Sequence, residues 1–421
     1  MAGSNSHTTV ANLEKGYKKK ATKLYPAFKA MVEEFSWLDE ISDEDIIVSG
    51  RENLIPLDIK RGYGAHMVSD GGYEARTVTP AMNEGSFVFS ELSARFYISR
   101  RAKALDSKAK EAQIISQIKY QSKKSMEALA RRVGLNFYGQ STGYVCENTT
   151  NATATTQTMS LNDGFGDSTV DDTTYLSSLF EVGDRIGVTS SGSLVTNALG
   201  EITAKISAGV IEVTFDGSVD LDAAHNVSFA NGVTDSTVTA TDYNKWQPGL
   251  IEITGASTLH SLATSSEPNW AAARNDTSTG GRYGRAKLKA DRQAIYNSGG
   301  GKLTDIVWAN GVENDVEAGE AAGRIYDSSS FDLDQNVRAK GVTFRTSQLV
   351  PPGNVFAFDR SGWGKKLLTD KPDEDGQLSF GSAELFKAED RSGFKGGFSF
   401  MWAQVCRSRA KFVRRAALTE Q

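Results

Sequence analysis

The chain has 421 residues, of which 40 are glycine and eight are proline; 24% are charged and 39% are hydrophobic. This balance indicates two or three folded domains and argues against a disordered chain. No apolar run reaches about 18 residues, so no membrane span is expected, and Cys146 and Cys406 match no metal, redox or disulfide pattern.

The net charge of −5 is unevenly distributed. The segment Gly143–Trp246 holds 14 acidic and three basic residues, a net charge of −11, which leaves about +6 for the remainder. Charge this segregated predicts that the two parts face different surroundings. An acidic, solvated surface domain is the alternative, and on either interpretation the segment is a separate unit.

The first predicted element is an N-terminal arm, in which residues 11–36 carry apolar side chains at largely helical spacing. Such a basic amphipathic arm binds nucleic acid or packs against a partner, although an ordinary solvated helix has the same pattern. Its basic residues include Lys18, Lys19, Lys20 and Lys23.

A long β-hairpin is predicted next. Residues 57–67 and 85–100 alternate apolar and polar side chains, and Ser69–Gly72 is a turn signal between them. An isolated two-stranded hairpin is only marginally stable in water. We therefore expect this arm to lie on the body of the protein or, more favourably, on a neighbouring subunit.

Residues 101–132 predict one long basic helix with a single apolar stripe. About 30 residues span about 45 Å, which suits a strut more than an average globular helix. The stripe includes Ile115, Ile118, Met126, Leu129, Val133 and Phe137.

Short alternating runs within 143–247 predict a small inserted β-barrel or β-sandwich. The run in 210–217 ends at Asp216–Gly217, which is predicted to be a hairpin turn. The motif KWQPG, Lys245–Gly249, ends the insertion.

The rest of the chain predicts a mixed α/β texture. In chain order we expect a helix that stops at Gly299–Gly301, a buried strand in KLTDIVWAN, a helix in VENDVEAGEAAGR, two strands around Pro351–Gly353, and a terminal strand in FSFMWAQVCRSRAKFVRR.

No catalytic, cofactor or metal site is predicted. The segment GGGKLT lacks P-loop spacing, and DKPDEDGQ carries Lys371 where an EF-hand places its first ligand. Trp308, Trp363 and Trp402 fit core or interface packing. The four histidines, His7, His66, His225 and His260, are too dispersed in the predicted elements to form a catalytic group.

The order of these parts resembles the major capsid proteins of tailed double-stranded DNA bacteriophages, whose fold is the HK-97 fold. QLVPPGNVFAFDR, residues 348–360, is similar to a late segment of that family's axial (A) domain. The resemblance covers most of the chain outside 143–247 and implies an α+β fold with an inserted small all-β domain. The implied regions are an N-terminal arm (1–44), an E-loop hairpin (45–100), the spine helix and peripheral (P) domain (101–142), the inserted acidic β-domain (143–247), a P-domain continuation (248–300), the A-domain (301–395) and a C-terminal P-domain strand (396–421).

The resemblance implies a structural protein and no enzyme: hexamers and pentamers of the chain would close an icosahedral shell around the phage genome. The implied partners are further copies of the chain, portal, scaffolding and decoration proteins, and packaged double-stranded DNA held by non-specific electrostatics. No cofactor and no membrane are implied. Assembly in the host cytoplasm would place the chain in the virion capsid.

The same resemblance assigns residues to roles. The E-loop residues expected to contact a neighbouring subunit are Arg61, Arg76, Val78 and Phe87. Lys18, Lys19, Lys20 and Lys23 are expected at the inner surface or under adjacent subunits, and Ile115, Ile118, Met126 and Leu129 are expected to pack the spine helix. Deletion of residues 69–86 is expected to leave a folded monomer that cannot form shells.

Three other classes of protein compete with this interpretation. An encapsulin-like nanocompartment shares the fold but encloses enzymes. A β-rich phage tail subunit is disfavoured by the long helix of 101–132, and an enzyme with an accessory β-domain is disfavoured because no catalytic motif occurs.

Overall fold

The computed structural model describes residues 42–43, 53–60, 81–87, 90–99, 124, 128, 131–230, 246–278, 280–323, 341–368, 381–387 and 393–420. The chain divides into two compact units. The first comprises Met1–Glu44, Phe89–Leu135 and Lys365–Ala403, and the second comprises Asp45–Val88, Asn136–Gly364 and Gln404–Gln421.

The described strands and helices follow the chain. The strands are β1 (Ser42–Asp43), β2 (Asn53–Lys60), β3 (Ala81–Phe87), β4 (Ser90–Ser99), β5 (Tyr144–Asn148), β6 (Ala152–Asn162), β7 (Arg185–Ser190), β8 (Ser193–Ser207), β9 (Val210–Leu221), β10 (His225–Phe229), β11 (Thr258–Leu259), β12 (Leu262–Ala263), β13 (Arg274–Asp276), β14 (Asp305–Trp308), β15 (Thr343–Thr346), β16 (Val355–Phe358), β17 (Trp363–Leu368), β18 (Gly381–Lys387), β19 (Gly393–Cys406) and β20 (Phe412–Arg415). The helices are α1 (131–138, with Lys124 and Ala128 also helical), α2 (Thr173–Ser178), α3 (Leu250–Gly255), α4 (Arg285–Gly299) and α5 (Asn310–Gly323).

The first unit is built on a sheet in the order β1-β17-β19-β18, with β4 also paired to β19. β4 runs antiparallel to β19, from Ser90 opposite Trp402 to Ser99 opposite Gly393. The predicted strand of 85–100 is therefore divided between two sheets. Alternation fixes which face of a strand is buried but not which strand pairs with it, and the long C-terminal β19 is the partner of β4.

The hairpin of the second unit pairs β2 with β3, from Asn53 opposite Phe87 to Lys60 opposite Ala81. The predicted second strand, 85–100, is wrong for all but its first residues, because Ala81–Phe87 is the strand that pairs with β2.

A five-stranded mixed sheet forms the body of the second unit, in the order β13-β20-β16-β14-β15. Every residue of β14, β16 and β20 is buried. β14 and β16 accordingly contain the apolar runs IVW and VFAF, whereas β20 buries Arg414 and Arg415 after Phe412 and Val413. Aromatic packing anchors the end of α1 to this sheet: Phe137 stacks on Trp363 at 4.5 Å between ring centroids, and Trp363 meets Phe358 edge-on at 5.5 Å. The predicted packing roles of Trp308 and Trp363, which are 4% and 0% exposed, are confirmed.

Between residues 284 and 360, the predicted order of a helix, a strand, a second helix and two strands is confirmed. α4 stops at Gly300, whose φ of 55° lies in the left-handed region that favours glycine. The terminal segment differs from its prediction, because β19 and β20 belong to different sheets. A turn at Arg409–Lys411 separates them, and there the buried Arg409 donates to the carbonyls of Ile253 and Ala256 at 2.7 Å each, at the end of α3.

The acidic segment contains a closed antiparallel barrel in the order β10-β5-β6-β9-β8-β7. Its interior is mainly apolar, with Gln157 as a buried polar residue on β6, and closure removes the free sheet edges of a sandwich. The fully buried side chains include Val145, Met159, Ile186, Val188, Ile202, Ile211, Val213, Val219 and Val227.

Asp216–Gly217 is not the predicted hairpin turn. β9 continues through these residues to Leu221, and the turn from β8 lies at Ala208–Gly209, where Gly209 has φ +70°. The register of β9 against β6 jumps from Thr214 opposite Thr156 to Val219 opposite Ala154, so Asp216–Gly217 lies in an irregular, bulged stretch. Glycine inside a strand marks such bulges as readily as it marks turns.

No helix among the described residues is long and apolar enough to cross a bilayer.

Candidate assembly surfaces

The root of the β2–β3 hairpin is fixed to its own subunit at Ser86. The Ser86 N–H donates to the carbonyl of His260 at 3.1 Å, and the Ser86 and Ser261 hydroxyls lie 2.5 Å apart. Leu57 on β2 is 1% exposed and lies against Gly85 on β3. In the described residues, the base of the hairpin is therefore anchored to the body of its own subunit.

His260 and Ser261 form the two-residue turn between β11 and β12, with φ values of 52° and 64°. Left-handed conformations are costly for such residues and persist where surrounding contacts compensate. Nε2 of His260 accepts the Cys406 N–H at 3.1 Å. Burial and the nearby Arg409 lower the pKa of His260 to about 4, so the imidazole is neutral near pH 7 and can accept this bond.

Replacing Gly85 with alanine is expected to destabilise the root by about 1–3 kcal/mol, since the added methyl would overlap Leu57 Cδ1 and crowd His260 Cβ. Urea unfolding of the unassembled chain measures the change in the free energy of unfolding. Gly280→Ala is the matched control, because its Cβ would meet nothing closer than 3.8 Å. An unfolding midpoint for Gly85→Ala equal to that of the control would contradict the described root.

The two ends of the acidic insertion are tied together at its neck. The Asn136 side chain donates to the carbonyl of Gln247 at 2.8 Å and accepts the Gln247 N–H at 3.1 Å. The Gln247 side chain in turn accepts the Gln404 N–H at 3.0 Å. A Cβ on Gly249 would lie 2.5 to 2.7 Å from the carbonyl oxygens of residues 136, 137 and 139, so this position of the KWQPG motif requires glycine.

A polar seam joins the barrel to the five-stranded sheet, and Arg414 on β20 is its centre. Its side chain is 1% exposed and pairs with Asp167 from the barrel. It also donates to Thr169 Oγ1 at 2.9 Å and to Asn354 Oδ1 at 3.0 Å. Tyr175 of α2 adds a hydrogen bond from its hydroxyl to the carbonyl of Leu349 at 2.7 Å.

The charges of the seam are complementary. Burial alone would raise the pKa of Asp167, but the charge and hydrogen bond of Arg414, together with hydrogen bonds from Thr169, hold it below its usual value. The carboxylate is therefore ionised at neutral pH and opposite a buried guanidinium. Such a pair, with its remaining donors satisfied, fixes an orientation more strongly than an exposed pair does.

A second buried charge cluster has a structural explanation. Asp291 of α4 is fully buried, and it accepts hydrogen bonds from Arg415 at 2.9 and 3.0 Å and from Tyr283 at 3.0 Å. Arg415 also approaches Asp291 through Nη2 at 2.7 Å, so a buried arginine and a buried tyrosine account for the buried carboxylate without a ligand. Among the described residues no group of three or more His, Cys, Asp or Glu side chains is placed to hold a metal ion.

Most of the residues assigned to roles from the sequence lie outside the described residues. The exception, Phe87, is at the end of the hairpin ladder opposite Asn53 and is 5% exposed. Since its own subunit buries it, Phe87 belongs to the anchored root and offers little surface to a neighbour. The residues outside the description are Lys18, Lys19, Lys20, Lys23, Arg61, Arg76, Val78, Ile115, Ile118, Met126 and Leu129.

Several anchoring residues were not identified from the sequence. Arg414 and Asp167 are 247 positions apart, and no periodicity links them. The one signal in the sequence is the charge pattern, because the Arg-rich last strand and the acidic insertion carry opposite charge. The sequence marks His260 only as one of four dispersed histidines, because its positive φ is a property of the folded turn.

No protein-family model matches the chain, and no curated protein matches it either. Among solved structures, a chain from the capsid asymmetric unit of cyanophage A-1(L) is 12% identical, with a TM-score of 0.52, over 91% of this chain and 93% of that one. A chain from Gordonia phage Cozz is 12% identical with a TM-score of 0.41, over 92% and 87% of the two chains. The SrpI encapsulin of Synechococcus elongatus PCC 7942 is 10% identical with a TM-score of 0.40, over 91% and 87%. The likeness to the cyanophage capsid chain confirms the predicted HK-97 fold.

Proposed function

We propose that this chain is the major capsid protein of a tailed double-stranded DNA phage, and that its copies form the hexamers and pentamers of an icosahedral shell. The observation that carries the proposal is the fold shared with the cyanophage A-1(L) capsid chain over nine-tenths of both chains. Heterologous contacts that close into rings of five and six generate such a shell from one kind of subunit.

The anchored hairpin supports a role in subunit contact. Its base is fixed by Ser86 and His260, while Lys60 and Ala81 pair at the far end of the described ladder. Twenty residues, 61–80, connect those two positions, which is far longer than a usual hairpin loop. In our proposal this arm reaches an adjacent subunit, and Arg61, Arg76 and Val78 make the contact.

The segregation of charge supports an arrangement about packaged DNA. The basic N-terminal arm, with Lys18, Lys19, Lys20 and Lys23, would face the genome, and the acidic barrel would lie on the outer face. Portal, scaffolding and decoration proteins are further proposed partners, and the proposed site of assembly is the host cytoplasm.

The content of purified particles tests the genome assignment. Particles from infected or co-expressing cells are treated with nuclease, and the protected nucleic acid and co-purifying proteins are then identified. The proposal expects protected double-stranded DNA of uniform length. Particles that instead enclose one kind of enzyme would establish the encapsulin-like alternative, and a monomeric enzyme would contradict both.

A further inference from the structure

Helix α4 carries a basic and aromatic stripe on its exposed face. Arg285, Lys289, Arg292 and Tyr296 follow the spacing i, i+4, i+7 and i+11, which forms a stripe about 16 Å long on one face of the α-helix. The opposite face is buried through Leu288, Asp291 and Ile295.

Two features set this stripe apart from an ordinary solvated face. The one acidic residue of α4, Asp291, is buried, so the exposed face of the helix is basic along its length. Tyr296 is 66% exposed, the highest value among the three exposed large hydrophobic side chains of the described part of the chain. Aromatic residues and arginine together are typical of protein interfaces, where the ring is desolvated.

The same chain contains a surface of complementary charge. Residues 144–230 hold 12 acidic and two basic residues. On the β8–β9 ladder, Glu201 pairs opposite Thr214, and Glu212 lies two positions before Thr214 on β9. Both glutamates point outward, because Ile202, Ile211 and Val213 at the alternate positions are fully buried.

We propose that the α4 stripe docks onto the outer β8–β9 face of the barrel of a second copy of this chain. This inference rests on the proposed shell function, which brings copies together in fixed numbers. It names a specific pair of surfaces within that shell, in which Lys289 and Arg292 meet Glu201 and Glu212. Complementary potentials of this kind fix register and partner choice between subunits.

The charge distribution favours a second copy over nucleic acid as the occupant. A barrel with a net charge of −10 belongs to the same compact unit as α4, and it would repel a DNA duplex that approached this unit. A neighbouring barrel is instead attracted by the stripe.

A charge-swap experiment tests the pairing. One variant carries Lys289→Glu and Arg292→Glu, a second carries Glu201→Lys and Glu212→Lys, and a third carries all four substitutions. Lys302→Glu, at an exposed position outside the stripe, is the matched control. Circular dichroism and thermal unfolding of the unassembled chains check that each variant folds, and sedimentation at about 0.1 M salt, where exposed charges are incompletely screened, measures the particle yield.

Each two-substitution variant is expected to lower the particle yield by about tenfold or more, since like charges then face each other across the contact. The four-substitution variant is expected to recover most of the wild-type yield, and Lys302→Glu is expected to assemble normally. The inference is overturned if reversal of α4 leaves assembly intact, if the four-substitution variant does not recover, or if the control is impaired equally.

Binding of a double-stranded DNA probe tests whether nucleic acid, and not a second copy of the chain, occupies the α4 stripe. If reversal of α4 lowers probe affinity while particle yield is unchanged, the stripe is a nucleic-acid surface and the inference is wrong. All of these outcomes require wild-type particles. A wild type that never assembles counts against the proposed function itself, so the two failures are distinguishable.

Discussion

A chain in which residues 63–78 are replaced by a short Gly-Ser turn is expected to fold normally and to form no shells. The deletion keeps the β2–β3 ladder from Asn53 opposite Phe87 to Lys60 opposite Ala81, and it keeps the Ser86 bond to His260. It removes only the arm proposed to reach the neighbouring subunit. Light scattering coupled to size-exclusion chromatography, with thermal unfolding alongside, measures both expectations.

The structure makes this a sharper test than deletion of 69–86. That larger deletion would also remove residues 81–86 of β3, including Gly85 and Ser86 at the root, so a failure to assemble could follow from damage to the subunit. A same-length Gly-Ser replacement of 63–78 separates side chains from loop length: it keeps the length and removes Arg76 and Val78, and it is also expected to form no shells. Normal shells from the shortened chain would refute the assignment of this arm to subunit contact.

Arg414→Ala is expected to destabilise the second unit by about 3–5 kcal/mol, the usual cost of removing one partner of a buried ion pair. The substitution leaves the half-buried Asp167 carboxylate without its cation, and Thr169 and Asn354 without their donor. Urea unfolding of the unassembled chain measures the loss. In a double-mutant cycle with Asp167→Ala, we expect a coupling energy of about 0.5–3 kcal/mol, as is usual for residues in one network.

The same pair predicts a dependence on pH. Because the folded-state pKa of Asp167 is lowered, its stabilisation is complete above the unfolded value of about 4 and is lost as the pH falls through the folded value. Asp167→Asn should therefore flatten the decrease in stability in acid while lowering stability at pH 7. If the variant and the wild type lose stability in parallel between about pH 5 and 2, or if the coupling energy is zero, Arg414 and Asp167 do not form the described pair.

Local patterns were sufficient to predict much of the fold. The apolar run in KLTDIVWAN predicts β14, and the glycines after α4 predict its end, since burial and left-handed backbone are encoded by neighbouring residues. The order of elements, compared with a known family, predicts the HK-97 fold that the cyanophage capsid chain confirms.

Pairing between distant residues was not predictable in the same way. The alternation in 85–100 fits β4 against β19 as well as it fits a hairpin, and Asp216–Gly217 fits a bulge as well as a turn. The seam depends on Asp167 and Arg414 meeting across 247 positions. Such contacts arise from tertiary packing, which a single sequence does not report.

Electron microscopy of the purified chain, expressed alone and with a scaffolding protein, tests the central proposal most directly. We expect closed shells, or rings of five and six subunits, with the acidic barrel resolved as a separate lobe on the outer face. A chain that remains monomeric under both conditions, with no ring or shell at any concentration, would contradict it.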